Sequence, residues 1–379
     1  MDDKAKVIIR DDDAAEPRRL NVRSILVYVT SDVDNALGEN VLKLPLLLAL
    51  SEAFPMARIA WVPGMSGAFY LQGQLAPLVG GRIDEFITDL WVPTDPRAAL
   101  FAKHPILDRH FDLIVDTQRY FGRTLFLRRI PHGRFISGTW RYLLSNARPP
   151  RPLPVRPSRL VDKLLGLAAA AAGHPIAVAN PIPLPSAYRD RAAALLPAGP
   201  SYVGLSPGAG NQGTGKCWPL DSFIAVGRAQ VGRGRVPVFL LGPEESRWPG
   251  KLREAVPEAL FPEEMNSGPI GGPCLVTALG ERLAAAVANC SGTGHLLAAG
   301  GAPMVSLYGP TRPEKYAPFA RALICLRAQD YGSSRIDAIP VDAVLAAVER
   351  QVAIGPATGG IADPQQGETN ALIGADFSR

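Results

Sequence analysis

The strongest constraint on how this chain folds is an alternation. Short runs rich in Val, Ile, Leu and aromatic residues recur between longer stretches with apolar residues at helical spacing. The short runs are SILVYV at 24–29, RIAWV at 58–62, Asp84 to Ile87, DLIV at 112–115, YVGLSP from Tyr202, Val236 to Leu241 and Pro303 to Tyr308. Helical stretches are expected at Val41 to Phe54, from Phe69, at Arg159 to Ala172, from Leu220, around Leu275 to Ala286, and at Val341 to Val352. Strands alternating with helices predict an α/β fold with parallel, doubly wound sheets. With 379 residues the chain is long enough for two such domains. Proline clusters at 149–157 and 181–185 mark a change of texture before the second series opens at Tyr202. The expected division is a flexible tail at 1–21, a first domain at 22–190, a second at 191–354 and a flexible tail at 355–379.

Composition removes several classes of function. The net charge of +5 is only mildly basic, and no stretch interleaves aromatics with dense basic residues, so nucleic acid is not an expected partner. Four cysteines stand far apart without a CxxC, which argues for reduced thiols and against a zinc site. The polar N-terminus with Asp11-Asp12-Asp13 does not read as a secretory signal. No apolar run reaches the roughly 20 residues a membrane helix needs.

Two stretches are candidates for chemistry. In Val287-Ala288-Asn289-Cys290-Ser291-Gly292-Thr293-Gly294-His295, a short apolar segment (Ala284 to Ala288) meets small polar residues and glycines, and an apolar helical run follows, a pattern that reads as strand, tight turn, helix, strand. The first amides of such a helix lack intrahelical partners and carry its positive dipole end. Ser291, Gly292 and Thr293 are small enough to admit an anion to that backbone, a seat for phosphate. An ordinary strand-to-helix turn with a Ser or Thr cap is the other reading. The second stretch, Ser206 to Lys216, holds four glycines and ends in a lysine. It departs from a P-loop, because Lys216 is followed by Cys217 and Trp218-Pro219. Lys216 still suits phosphate as a point charge, and a mobile surface loop is the alternative.

Together these stretches carry a resemblance. GLSPGAGNQGTGKCWPLDSF, followed some way on by ANCSGTGHLLAAGGAPMVSLYGPT, resembles the family-9 glycosyltransferases, the ADP-heptose:lipopolysaccharide heptosyltransferases. Leu37-Gly38-Glu39-Asn40-Val41-Leu42-Lys43-Leu44-Pro45 is similar to that family's Leu-Gly-Asp loop and Leu-Pro helix. The resemblance implies a GT-B architecture of two doubly wound, Rossmann-like domains facing a cleft, with the nucleotide-sugar donor held by the second. It implies Lys216 on the donor phosphates, with Thr214 adding a hydroxyl, and the backbone of Ser291, Gly292 and Thr293 around the diphosphate. Glu244 is expected to accept a hydrogen bond from ribose or base, and His295 to face either phosphate or core. Glu39 stands at the position of the family's catalytic aspartate, with Asp32 and Asp34 as rivals for the base. Two departures stand out: Glu39 is one methylene longer than aspartate, and Cys290 replaces an aspartate.

The resulting expectation is an inverting, metal-independent enzyme without a cofactor. It moves a heptose or related sugar from an ADP-heptose-like donor to a lipid-linked, lipopolysaccharide-core or other glycan acceptor. Its expected place is the cytoplasm, in peripheral contact with the inner face of the membrane. Arg119, Arg123, Arg128, Arg129, His132 and Arg134 either meet an anionic acceptor or form a solvated face. The alternative is a catalytically silent relative that binds nucleotide or glycan as a partner subunit. A sugar-nucleotide epimerase or dehydrogenase lacks support, since no GxGxxG follows the first strand.

Overall fold

The structure, a computed structural model, describes residues 21–30, 37–155, 157–210 and 215–356. The expected tails lie outside the described residues but for Asn21, Gly355 and Pro356, and so do Asp32, Asp34 and Thr214. The chain divides into two compact units. One comprises Met1–Asn35, Lys43–Ala68 and Gly81–Val178; the other comprises Ala36–Leu42, Phe69–Gly80 and Ala179–Arg379. Neither unit is a continuous stretch, and the short helix Leu37–Val41 groups with the second.

The first unit is a five-stranded parallel sheet: β1 (Ser24–Tyr28), β2 (Arg58–Val62), β3 (Glu85–Phe86), β4 (Phe111–Asp116) and β5 (His132–Ser137), in the order β3-β2-β1-β4-β5. Its helices include α1 (Leu44–Ala53), α2 (Phe121–Arg128) and α3 (Leu160–Ala172). The single helix expected from Val41 is instead two, Leu37–Val41 and α1. Pro45 lies in the first turn of α1, where its missing N–H costs nothing, and the chain breaks just before it. β5 was not expected, because its first residues, His132-Gly133-Arg134, interrupt the apolar alternation.

The second unit is also parallel: β6 (Tyr202–Ser206), β7 (Val236–Phe239), β8 (Leu283–Asn289), β9 (Met304–Tyr308) and β10 (Leu323–Arg327), in the order β10-β9-β8-β6-β7. Its helices include α4 (Leu220–Val231), α5 (Gly292–Ala299) and α6 (Val341–Val352). The helix expected around Leu275 to Ala286 ends at Gly280, and the strand read at Ala284 to Ala288 is part of the central strand β8. Alanine favours a helix locally, but this strand lies between β6 and β9 and is buried throughout. Its small side chains fit tight neighbours: a Cβ on Gly204 would fall 2.6 Å from Leu283 Cδ1 and 3.3 Å from the Ala286 Cβ.

The two sheets differ in strand order. Numbered within itself, the first runs 3-2-1-4-5 and the second 5-4-3-1-2, so the order reverses between β1 and β4 and between β6 and β8. Ligands of open α/β sheets sit at such switch points, outside the carboxyl ends of the strands. Among the described residues no helix is long and apolar enough to cross a membrane.

Candidate functional site

The switch point of the second unit is organised by Asn289, the last residue of β8, which is almost fully buried. Its Oδ1 accepts from the Trp218 N–H at 3.0 Å, and its Nδ2 donates to the Pro207 carbonyl at 2.7 Å. One amide side chain thus ties both ends of the glycine-rich loop after β6 to the end of β8. Trp218 is the loop's second anchor. Its indole is buried, donates from Nε1 to the Ile339 carbonyl at 3.0 Å and packs edge-on against Phe223. Pro219 then caps α4.

This anchoring carries Lys216, two residues before Trp218, to Cys290. Burial raises the pKa of the Cys290 thiol, opposed by the Thr311 hydroxyl and the Lys216 ammonium. The Gly309-Pro310-Thr311 turn belongs to the same corner, since a Cβ on Gly309 would fall 3.2 Å from the Gly215 carbonyl oxygen. The lysine-tryptophan-proline segment, the turn after β8 and the turn after β9 therefore meet at one end of one sheet.

Helix α5 starts here. Ser291 is its N-cap, with extended backbone, and its Oγ accepts from the Gly294 N–H at 3.2 Å. The remaining amides of the first turn have no intrahelical acceptor. The short helix Leu37–Val41 rests on this start. A Cβ on Gly38 would fall 2.8 Å from His295 Cδ2 and 3.2 Å from Gly292 Cα, and one on Gly292 would fall 3.2 Å from Leu37 Cδ2. Only glycine at both positions permits the approach. It brings Glu39, the half-buried residue after Gly38, beside the start of α5.

His295 is 7% exposed, and its Nδ1 is buried without a hydrogen-bond partner among the described residues. Burial pulls its pKa down to about 4, so the ring is neutral at physiological pH and offers no cation to a phosphate. Of the adjacent acids after β7, Glu244 is exposed and Glu245 is turned inward. The Glu245 carboxylate accepts from the Gly242 N–H at 2.8 Å and packs on Gly208, where a Cβ would fall 2.5 Å from Oε1. Burial raises its pKa. Sequence reasoning gave no role to Glu245, Asn289 or Gly38; the usable signal for Glu245 was its place three residues after Gly242, where a glutamate can accept from the N-cap N–H.

Most of the basic residues noted in the first unit are occupied by backbone. Arg128 donates to the Leu144 carbonyl, Arg129 to Ala99 and Ala102 at 2.6 and 2.8 Å, and Arg134 to Ala171 at 2.8 Å. The His132 Nδ1 contacts the Ile130 carbonyl at 2.6 Å. Arg119 instead lines a hollow beyond β4 and β5.

The family model of glycosyltransferase family 9 (heptosyltransferase) matches residues 102–338, a span that contains the whole corner around Asn289. The chain belongs to glycosyltransferase family 9. It is therefore a glycosyltransferase, and the match supports transfer from a nucleotide sugar. No curated protein sequence matches the chain. Among solved structures, a family-9 glycosyltransferase from Veillonella parvula aligns over 89% of this chain and 99% of its own, at 18% identity and a TM-score of 0.59. Heptosyltransferase WaaC of E. coli, solved with ADP, aligns over 86% and 99% at 18% identity and a TM-score of 0.57. The E. coli ADP-heptose lipopolysaccharide heptosyltransferase II aligns over 87% and 99% at 18% identity and a TM-score of 0.54. These likenesses establish the fold: two doubly wound α/β units of the GT-B type. The Leu37–Pro45 segment precedes the matched span, so the placement of Glu39 rests on the contacts of Gly38.

Proposed function

We propose that this family-9 enzyme moves a heptose or related sugar from an ADP-heptose-like donor to a lipopolysaccharide-core or other glycan acceptor, with inversion and without a metal. The observation that carries this reading is the convergence of Lys216 and the start of α5 beside Glu39. WaaC is a heptosyltransferase solved with ADP and with ADP-2-deoxy-2-fluoro heptose. The same nucleotide suits this corner. The Lys216 ammonium and the amides of Gly292 and Thr293 meet the diphosphate, and their charge stabilises it as it leaves. The resemblance assigns a hydroxyl contact to Thr214, and Glu244, exposed after β7, is available to ribose or base. His295 contributes by supporting Gly38.

In the reaction the acceptor hydroxyl oxygen bonds to the anomeric carbon while the bond from that carbon to the diphosphate oxygen breaks. The diphosphate departs with the electron pair, and the hydroxyl proton passes to the Glu39 carboxylate. A single displacement of this kind inverts the anomeric centre. General-base catalysis is worth about 10²–10⁴ in rate. Glu39→Ala is accordingly expected to abolish most turnover of ADP-heptose while calorimetry still detects ADP binding. Turnover unchanged in that variant would remove Glu39 from the mechanism. Acceptors of this class place the enzyme at the cytoplasmic face of the membrane.

Cys290 favours a second reading, a silent nucleotide-binding relative, because a thiol with a raised pKa supplies no carboxylate beside Lys216. ADP binding without turnover of any nucleotide sugar would select it.

A further inference from the structure

Apolar surface is unevenly spread over the molecule. Eleven large apolar side chains are exposed among the described residues, and six of them, Trp91, Leu100, Phe101, Tyr120, Trp140 and Leu143, fall within residues 91–143 of the first unit. Phe101 is 82% exposed and Trp91 69%. Single apolar residues on a surface are ordinary, but a gathering of them marks a face that meets something. The helical layer on one side of the first sheet carries the first group. Leu90, Val92 and Ala99 turn inward from it into the core built on Leu26 and Ile114, while their neighbours Trp91, Leu100 and Phe101 stand outside. The helix Pro96–Phe101 lies along α2. Near its start Gly122 admits the backbone of Thr94, where an added Cβ would fall 2.1 Å from the carbonyl oxygen. At its end Arg129 donates to the Ala99 and Ala102 carbonyls. Ala99 is the buried side of this helix, and Arg97, Leu100 and Phe101, three and four residues apart, share the exposed one.

The second group stands at the start of α2. Tyr120 precedes that helix, Phe121 opens it, and the Trp140 indole stacks on Phe121 with ring centroids 4.1 Å apart and planes 15° from parallel. The indole is 55% exposed, on a turn in which Trp140, Arg141 and Tyr142 have φ of 47°, 60° and 65°. Residues with side chains rarely adopt this left-handed conformation, and three in a row persist only where the surroundings fix them. The fixing point is Asp116, fully buried at the end of β4. It accepts from Thr124 Oγ1 at 2.7 Å, Ser137 Oγ at 2.9 Å and the Gln118 N–H at 2.9 Å. The two groups are separated by roughly the length of α2, about 12 Å at 1.5 Å per residue.

The same stretch carries the chain's excess of positive charge. Residues 91–143 hold nine Lys and Arg against four Asp and no Glu, an excess equal to the whole chain's +5. Five of these cations are exposed: Arg97, Lys103, Arg109, Arg119 and Arg141. Two acids are exposed, Asp108 and Asp95, and the Asp95 carboxylate caps its own helix by accepting from the Ala98 N–H at 2.7 Å. Arg109 is paired with Glu85 at 2.7 Å. Arg97 shares the helix face of Leu100 and Phe101, and Arg141 follows Trp140 on the strained turn. A second copy of the chain would bring like charge against like charge, so the face favours an anionic partner. Tryptophan, with an apolar body and a polar edge, and Lys and Arg, with apolar stems, suit the headgroup level of a bilayer.

We propose that this face of the first unit, Trp91, Leu100 and Phe101 with Trp140 at its rim, docks on a bilayer of anionic phospholipid. The rings enter the headgroup layer, and Arg97, Lys103 and Arg141 meet lipid phosphate. Charge draws the face to the surface, and the apolar side chains hold it there. The docking rests on the proposed function in one respect: an acceptor carried on a membrane lipid gives the contact its use.

The test floats the full chain with vesicles of phosphatidylcholine alone and of phosphatidylcholine mixed with phosphatidylglycerol. Association is expected with the mixed vesicles, at least tenfold weaker with the neutral ones, and weaker as salt is raised. Trp91→Ala combined with Phe101→Ala should cut binding at least tenfold. Arg97→Glu combined with Lys103→Glu should erase the preference for the anionic lipid. A brominated lipid should quench the tryptophan fluorescence of the unmodified protein, and quench it less in Trp91→Phe. The substituted side chains are exposed, so the melting temperature and ADP binding should hold in every variant. No association with either vesicle, equal association with both, or association unaltered in the apolar pair overturns the docking face. So does a dimer that binds no vesicle and dissociates in the apolar pair, which would make the face a contact between copies. Failure of the unmodified protein to bind ADP would instead strike the nucleotide-sugar reading and leave the vesicle result standing.

Discussion

The carboxyl ends of the two sheets solve one mechanical problem with different chemistry. In the first unit a buried carboxylate, Asp116, gathers the loops after β4 and β5. In the second a buried amide, Asn289, gathers both ends of the loop after β6. The carboxylate only accepts, so donors must converge on it. The amide both donates and accepts, and it adds no charge to the corner proposed for the anionic donor. The helix starts show the same division. The helix Pro96–Phe101 of the first unit is capped by its own carboxylate, Asp95, accepting from Ala98 N–H at 2.7 Å. Helix α5 is capped by the neutral hydroxyl of Ser291, which leaves its positive end for a ligand's charge. The first unit gathers its loops on a buried carboxyl, whereas the second gathers its own on a neutral amide and caps α5 with a neutral hydroxyl.

The comparison breaks most visibly at Asn289. Asn289→Ala removes two hydrogen bonds and orphans a buried N–H and a buried carbonyl, an expected loss of about 3–4 kcal/mol in denaturant unfolding. A loss under ~1 kcal/mol would mean that water replaces the amide and the loop is not held by it.

Two titrations sharpen the contrast. Burial raises Asp116 from 3.8 to about 6, so between those values the folded state keeps a proton that the unfolded state releases. Its contribution to stability therefore falls as pH rises through that window. Burial lowers His295 from 6.5 to about 4, so there the unfolded state binds a proton that the folded state refuses, and this contribution rises with pH. Each amounts to roughly 3 kcal/mol and they oppose each other between about pH 4 and 6. A chain unfolding in one step should show a nearly flat melting temperature there. Asp116→Asn should make it climb with pH, and His295→Leu should make it fall. Two separate transitions would instead show the two slopes side by side.

Gly38→Ala tests the approach that brings Glu39 to α5. The added methyl meets His295 and Gly292, and displacement of Glu39 by about 1 Å predicts a roughly 100-fold loss of turnover with ADP affinity retained. Equal losses of both would show that the contact supports the phosphate seat as well. The smallest effect is expected from Ser291→Asp. It gives α5 the kind of charged cap found at Asp95, holds or raises stability, and weakens ADP about tenfold, or 1.4 kcal/mol. Unaltered ADP affinity would separate the helix start from the phosphate.

Much of this was legible in local sequence. β2 and β6 and helix α6 coincide with the runs read from alternation and periodicity. Pro219 ahead of α4, and Ser291 ahead of α5, are signals that act within the first turn of the helix they precede. Alternation failed where polar residues opened a strand, as in β5; at β8 the strand read at Ala284 to Ala288 is present, but the helix expected up to Ala286 overran its start, because burial between neighbours outweighed alanine's local preference.

The sequence by itself determined the alternating α/β plan, the small-residue turn before α5 and the proline that opens α4. Periodicity, capping and turn chemistry act over a handful of residues and need no distant partner. Only the tertiary structure decided that Gly38 rests on Gly292 and His295, that His295 is buried neutral, that Glu245 and not Glu244 turns inward, and that Trp140 stands open on a strained turn. Each of those depends on segments far apart in the chain packing to within a few ångströms, and close packing of that kind has no signature in either segment alone.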